Sequence, residues 1–416
     1  MERLPVVQPQ GRTVCNAHQI NGIKDLSHRE VFFCTIPPME WKHKLIQLGY
    51  QAETHFDDLR NQLHKRLGGD EKIKIVVYRG HGTAEKLYLR GRVLEDKGIL
   101  PASDNDTMWD NLLSVYRRFD SDELPGVSLQ IQLADHTVET ITDEEGYFFL
   151  DLNITSPKAA EADLTHTPYS AIVTMLGQPA VQGVGEVIVP PANAQFGVIS
   201  DIDDTILQTF ATNLLKVAEL TLLHNARTRL PFPGVAAFYR ALQRGGQGDT
   251  CNPIFYVSSS PWNLYDLLAD FMVLNEIPAG PIFLRDLGLD ADKLFAKDHR
   301  THKLEQIRHI LQTHATLPFL LIGDSGQQDP EIYREVVAEF PGRIAAIYIR
   351  DVSDTVRDEE VAQLGQEIAG EVPLLLTADS YAAAEHATAA GFIQAEALVA
   401  IAADIEETAV LSSPDQ

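Results

Sequence analysis

Phe196-Gly197-Val198-Ile199-Ser200-Asp201-Ile202-Asp203-Asp204-Thr205 decides the fold of the C-terminal half. Its first residues form a short apolar run, the signature of a buried strand. Asp201, Asp203 and Asp204 then crowd the end of that strand. Carboxylates this close repel one another unless a cation or a partner offsets the charge. Alternation along an extended chain puts Asp201 and Asp203 on the same side, where the pair can face one metal ion and one substrate.

Five more apolar runs follow, at Pro253 to Val257, Pro281 to Leu284, Leu317 to Ile322, Arg343 to Ile349 and Pro373 to Leu376. Helical spacing fills the intervals: Leu214 to Asn225, Val235 to Gln243, Leu264 to Asn275, Lys303 to Thr313 and Pro330 to Glu339. Strand–helix alternation predicts an α/β fold, a doubly wound, mostly parallel (Rossmann-like) sheet covered on both faces. The Leu214 to Asn225 stretch would be a small helical cap beside the first strand. The Ala-rich segment Tyr381 to Glu407 is expected to be helical and to pack on the same domain. Ligands of such sheets bind at the carboxyl ends of the strands.

The grammar before Pro190-Pro191-Ala192-Asn193-Ala194 is different. Short strands with Gly-containing turns run from Ile73 to Tyr78, Leu87 to Val93, Val127 to Leu133, Val138 to Thr142, Tyr147 to Leu150 and Val184 to Val189. Several alternate apolar with polar, as strands with one wet face do. They predict an all-β, sandwich-like accessory domain over residues 69–190, able to present a surface to an unnamed partner. The turn Thr142-Asp143-Glu144-Glu145-Gly146-Tyr147-Phe148 resembles those of transthyretin-like accessory domains. Residues 1–68 have no clear period apart from helical spacing at Phe56, Leu59, Leu63 and Leu67. Residues 194–416 would form the α/β domain.

Asp and Glu outnumber Lys and Arg 59 to 34 in the 416 residues, for a formal net charge of −25. That argues against nucleic acid as a partner and against passive adsorption to anionic lipid. It suits a hard cation. Cys15, Cys34 and Cys251 are too few and too scattered for a disulfide framework or a zinc site. No apolar leader or spanning segment is evident, so the expected compartment is the cytoplasm.

The fourth strand of the series ends in Gly323-Asp324-Ser325-Gly326-Gln327-Gln328-Asp329, with Pro330 opening a helix. Two strand ends delivering carboxylates to one edge make Mg²⁺ the economical ligand. The second strand ends in Ser258-Ser259-Ser260-Pro261, whose hydroxyls and free N–H groups at a helix N-terminus suit a phosphate. Lys303, at the start of a helix, can neutralise charge that develops on it. Each piece alone has a plainer reading: a solvated loop, a turn, a helix cap or a solvated helix face. Lys293 and Lys297 compete with Lys303 for the lysine's part. His299, His302, His309 and His314 fit no tight metal-ligand spacing.

The ordered set Asp-x-Asp-x-Thr, Ser, Lys, Gly-Asp-x-x-x-x-Asp resembles the haloacid dehalogenase superfamily. The resemblance implies Asp201 as nucleophile, Asp203 as general acid and base, Ser258 holding the phosphoryl group and Lys303 stabilising its charge. It implies Mg²⁺ on Asp201, Asp324 and the Asp203 backbone carbonyl, with Asp329 in support. A narrower set, including Pro231-Phe232-Pro233-Gly234-Val235, Ser258-Ser259-Ser260-Pro261-Trp262, Leu284-Arg285-Asp286 and Tyr348-Ile349-Arg350-Asp351-Val352, is similar to the phosphatidate phosphatase catalytic domain of the fungal actin-patch type. That implies a phosphatase acting on a phospholipid at a membrane surface, with the protein peripheral to the membrane. Thr205, Ser259, Ser260, Arg285 and Arg350 would meet the substrate, although each arginine also precedes an aspartate it could pair with. A soluble, protein or nucleic-acid-end phosphate, or a phospho-accepting signalling module, remains the alternative.

Overall fold

The computed structural model describes residues 72–96, 123–154, 169–207, 231–285 and 299–411. The expected helix near Phe56, the cap helix at Leu214 to Asn225, Lys293, Lys297 and Asp286 lie outside them. By compactness the chain divides into Met1–His55 and Phe56–Gln416, and both sheets belong to the second unit.

The first eight strands are β1 (Lys72–Val77), β2 (Gly80–Gly82), β3 (Lys86–Asp96), β4 (Ser128–Leu133), β5 (His136–Ile141), β6 (Tyr147–Asn153), β7 (Tyr169–Met175) and β8 (Gln182–Ile188). They form one hydrogen-bonded sheet in the order β1-β3-β2-β8-β7-β4-β5, with β6 on β3. All its pairs are antiparallel except β2 with β8. Leu87, Val93, Leu129, Ile131, Phe148, Val173 and Val187 fill its core. The β-rich half expected from alternation is therefore present as a single mixed ladder. Two strands escaped the sequence reading. β2 is Gly80-His81-Gly82, which reads as a turn, yet a Cβ on Gly80 would stand 2.2 Å from the Tyr88 carbonyl oxygen. Only glycine lets that ladder close.

The second sheet is parallel, in the order β11-β10-β9-β12-β13-β14. Its strands are β9 (Gly197–Ser200), β10 (Ile254–Pro261), β11 (Ile282–Arg285), β12 (Phe319–Asp324), β13 (Ile344–Arg350) and β14 (Leu374–Thr377). Seven helices accompany it among the described residues: α1 (Val235–Arg244), α2 (Tyr265–Leu274), α3 (His299–Thr313), α4 (Asp329–Glu339), α5 (Thr355–Ile368), α6 (Ser380–Ala389) and α7 (Ala397–Leu411). Successive residues of a strand serve opposite faces. Val198, Tyr256, Leu320 and Ile322 join α1, α2, α6 and α7 on one side. Ile199, Phe255, Val257 and Leu321 join α3, α4 and α5 on the other. Alternation of strand and helix thus gives the expected mixed α/β layering. The Ala-rich tail is two helices rather than one, because Gly391 takes a left-handed φ of 78° between them.

The two halves meet along an apolar seam. Tyr78 and Tyr147 share a buried cluster with Trp262, Leu264 and Phe271. At another part of the seam His81, 3% exposed, is ringed by Tyr88, Phe255, Phe283, His309 and His314. His81 Nδ1 and His314 Nε2 share a hydrogen bond at 3.4 Å. Burial, then His314 and His309, hold the His81 imidazole well below its ordinary pKa. Burial, then His309 and Arg343, take His314 down to about 4. A histidine with a depressed folded pKa contributes stability above its unfolded value near ~6.5 and loses it as pH falls. These two histidines should therefore pull the unfolding midpoint down between pH 7 and pH 4.5. Thermal melts of His81→Phe, whose ring suits the aromatic surround, should show a shallower drop.

Candidate active site

All the candidate chemistry collects at the carboxyl edge of the parallel sheet, where strand order reverses between β9 and β12. Asp201 extends β9 by one residue, its N–H donating to the Ile322 carbonyl at 2.9 Å. The loop beyond it is tight: the N–H groups of Thr205, Ile206 and Leu207 all converge on the Ile202 carbonyl. Asp204 accommodates the bend with φ 56°, a left-handed value that aspartate tolerates better than most residues.

Asp324 ends β12 and Asp329 opens α4. One carboxylate oxygen each from Asp201, Asp324 and Asp329 lies within 4.8 Å of the others, and all three residues are buried. Gly323 makes room, since a Cβ there would lie 2.5 Å from Asp329 Oδ2. Lys303 Nζ reaches Asp201 Oδ1 at 2.9 Å and Asp329 Oδ1 at 2.6 Å. It lies on the second turn of α3 and is 3% exposed, so the solvated-face reading of this lysine does not hold. Burial alone would lower the Lys303 pKa, but Asp201, Asp329 and Asp324 lift it above its normal range. Burial pushes the Asp201 carboxyl well up, with Lys303 pulling back and the other aspartates adding to the rise. Burial and then Asp329 push Asp324 up to about 8.

The donor set fits a hard divalent cation. Asp201 Oδ2 and Asp324 Oδ2 are buried and take no hydrogen bond, an arrangement that costs free energy unless a ligand completes it. The histidines do not form such a group: among the described residues only these three aspartates could hold an ion. A carboxylate whose folded pKa is raised stabilises the metal-free protein at low pH and loses that contribution as pH rises through about 8. A cation displaces those protons. The rise in melting temperature on adding Mg²⁺ should therefore be larger at pH 8 than at pH 6, as calorimetry can check.

The serines sit differently from the sequence expectation. They end strand β10, and a 3₁₀ turn, Trp262–Leu264, intervenes before α2, so they are not at a helix N-terminus. Ser258 Oγ donates to Asp203 Oδ2 at 2.6 Å, and Ser260 Oγ donates to the same atom at 3.2 Å. Among the described residues, Ser259 Oγ and Thr205 Oγ1 are the buried hydroxyls without a partner. Arg350 is half-buried and donates to a backbone carbonyl and a hydroxyl rather than to Asp351. Its Nε donates to the Thr205 carbonyl at 3.2 Å and its Nη2 to Ser380 Oγ at 2.9 Å, with the guanidinium over the Phe232 ring. Burial lowers its pKa to about 10. Arg285, 6% exposed, ends β11 and meets His299 Nε2 at 3.4 Å.

Two contributors carried no sequence signal. Gln327 donates its N–H to Asp324 Oδ1 at 2.9 Å and its side-chain amide to the Asp203 carbonyl at 3.4 Å, tying the two carboxylate loops together. Arg357 donates to the Ser325 and Gln327 carbonyls and forks onto Glu331, which fixes the Gly323–Asp329 turn. The Gln327–Asp203 contact and those of Arg357 span 26 to 124 residues, which no local motif encodes.

Residues 196–351 match the family model of the phosphatidate phosphatase APP1 catalytic domain. Every candidate site residue falls inside that segment. Phosphatidate phosphatase APP1 of Saccharomyces cerevisiae is 33% identical over 177 residues, 42% of this chain and 29% of that protein. An uncharacterized protein of Schizosaccharomyces pombe is 34% identical over 160 residues, 37% of this chain and 25% of its own length. The chain thus spans less than a third of either relative. Among solved structures, a carbohydrate acetylesterase from Xanthomonas citri aligns over 72% of this chain and 75% of its own at 11% identity, with a TM-score of 0.26. A likeness that loose carries no argument. No helix among the described residues is long and apolar enough to cross a membrane.

Proposed function

We propose that this chain is a Mg²⁺-dependent phosphomonoester phosphatase of the haloacid dehalogenase kind, working through an aspartyl phosphate at Asp201, with phosphatidate as its substrate. The observation that carries the chemistry is the buried Asp201–Asp324–Asp329 group with Lys303 against it. The sheet order and the helices on both faces support a doubly wound, Rossmann-like domain. The substrate comes from the matched catalytic-domain model and from the name of the Saccharomyces cerevisiae relative.

Asp201, Asp324 and Asp329 would hold the cation, with the Asp203 carbonyl at the same edge. Bound there, Mg²⁺ would offset the charge of the transferring phosphoryl oxygens. The Asp201 carboxylate attacks phosphorus and the bond to the leaving oxygen breaks. Asp203, steadied by Ser258 and Ser260, gives that oxygen its proton. Asp203 then takes a proton from the water that hydrolyses the aspartyl phosphate, which returns Asp201 and releases inorganic phosphate. Ser259 and Thr205 offer free hydroxyls to the phosphoryl group, and Lys303 balances its charge.

Phosphate release by the purified chain with Mg²⁺ tests this, using phosphatidate in detergent micelles beside soluble phosphomonoesters and a phosphopeptide. Preferred turnover of phosphatidate is expected. Turnover of a soluble ester or phosphopeptide alone would keep the chemistry and replace the substrate. A stable phosphoprotein without turnover would instead identify a signalling module.

A further inference from the structure

Trp262 stands two residues beyond Ser260, the end of the serine segment. Its indole nitrogen is buried and has no hydrogen-bond partner. Its ring faces do the holding. Tyr78 of the β-rich half stacks on it at 4.3 Å and 24°. The Arg90 guanidinium of β3 lies 4.5 Å from its centroid and also covers Tyr147 and Phe149. Aromatic pairs and cation–π contacts of this kind are directional attachments. A second bolt lies three residues on, where the Arg79 N–H donates to Tyr265 Oη at 2.9 Å and Tyr78 meets the Tyr265 ring at 4.5 Å. Pro261, with φ −73°, makes the link back to Ser260 stiff.

We infer that the β-rich half is a working part of the catalytic site: Tyr78 and Arg90 are positioning residues that clamp Trp262, and through it set the serine hydroxyls that orient Asp203. They touch no reacting atom. The inference rests on the phosphatase reading above. Ser258 and Ser260 reach Asp203 from two to four residues before the clamped tryptophan, so freeing the ring loosens the group that must deliver a proton to the leaving oxygen. A misplaced general acid harms esters with poor leaving groups most, because those need the proton most.

The test compares p-nitrophenyl phosphate, a good leaving group, with glycerol phosphate, a poor one, in the full-length chain. In Tyr78→Ala and Arg90→Gln, kcat on glycerol phosphate should fall about tenfold further than kcat on p-nitrophenyl phosphate, with KM for both little changed. Tyr78→Phe, which keeps the stacked ring, should restore the wild-type ratio. A shortage of folded protein lowers both substrates alike, so equal losses on the two would overturn the inference, as would an unchanged ratio in both variants. A wild-type chain inert on every phosphomonoester, phosphatidate included, would sink the phosphatase reading itself, and this inference with it.

Discussion

Asp201→Asn should abolish phosphate release, lowering kcat by about 10⁴-fold or more, the scale on which removal of a covalent nucleophile acts. The change is nearly isosteric. The amide oxygen can still accept from Lys303, while the attacking carboxylate is gone. The fold should not suffer. Asp201 is buried beside two further carboxylates, and its pKa is pushed well up by that burial and by its neighbours against the pull of Lys303. A neutral group there relieves repulsion in the metal-free protein, so the melting temperature should hold or rise while the gain on adding Mg²⁺ shrinks. Assay of phosphate release together with melting curves, with and without Mg²⁺, reads both halves. Activity within tenfold of wild type would remove Asp201 from the nucleophile's role.

Lys303→Met is the second large effect, and it has the opposite stability signature. Lys303 is the cation within salt-bridge distance of both Asp201 and Asp329. Removing one partner of a buried ion pair costs ~3–5 kcal/mol, because the remaining charge is left uncompensated. The variant should melt markedly lower without Mg²⁺ and recover part of the loss with it, since a divalent ion supplies positive charge to the same carboxylates. Activity should fall at least a hundredfold even at saturating Mg²⁺, because in the proposed mechanism the ammonium also balances the phosphoryl charge. The double variant Lys303→Met/Asp329→Asn should melt higher than Lys303→Met while staying inactive, a pattern that separates charge balance from catalysis in one set of melts and assays.

The parts of the site that share a strand end were legible in the sequence. A buried run followed by acidic residues announces both its layer and its edge, which makes Asp201 and Asp324 legible as strand-end carboxylates. Lys303 could be suspected but not located, because whether a helix face is wet depends on what packs against it. Ser258-Ser259-Ser260-Pro261, standing ahead of helical spacing, reads as a helix start. The strand instead runs on through Pro261, whose missing N–H the neighbouring parallel strand does not require. Arg350 reads as facing a substrate or Asp351; its contacts to the Thr205 carbonyl and to Ser380 Oγ are remote in sequence and not legible there. Helix α5 and strand β7 lie outside the stretches that sequence spacing predicts. The alternation of β7, with Ala171, Val173 and Met175 inward, begins directly after a polar stretch that hides its start.

The seam has a consequence for anyone who would divide this chain. The proline pair at 190–191 looks like the natural place to cut, and a fragment starting at Ala194 would keep every catalytic candidate. Such a fragment would also bare Trp262, Phe255 and Tyr265 to water, together with an unmatched His314, where the intact chain has Tyr78 and His81. Its expected fate is self-association, and a loss of activity on truncation would say as much about stickiness as about chemistry. The modular unit for expression, crystallisation or grafting onto another scaffold therefore starts no later than Lys72.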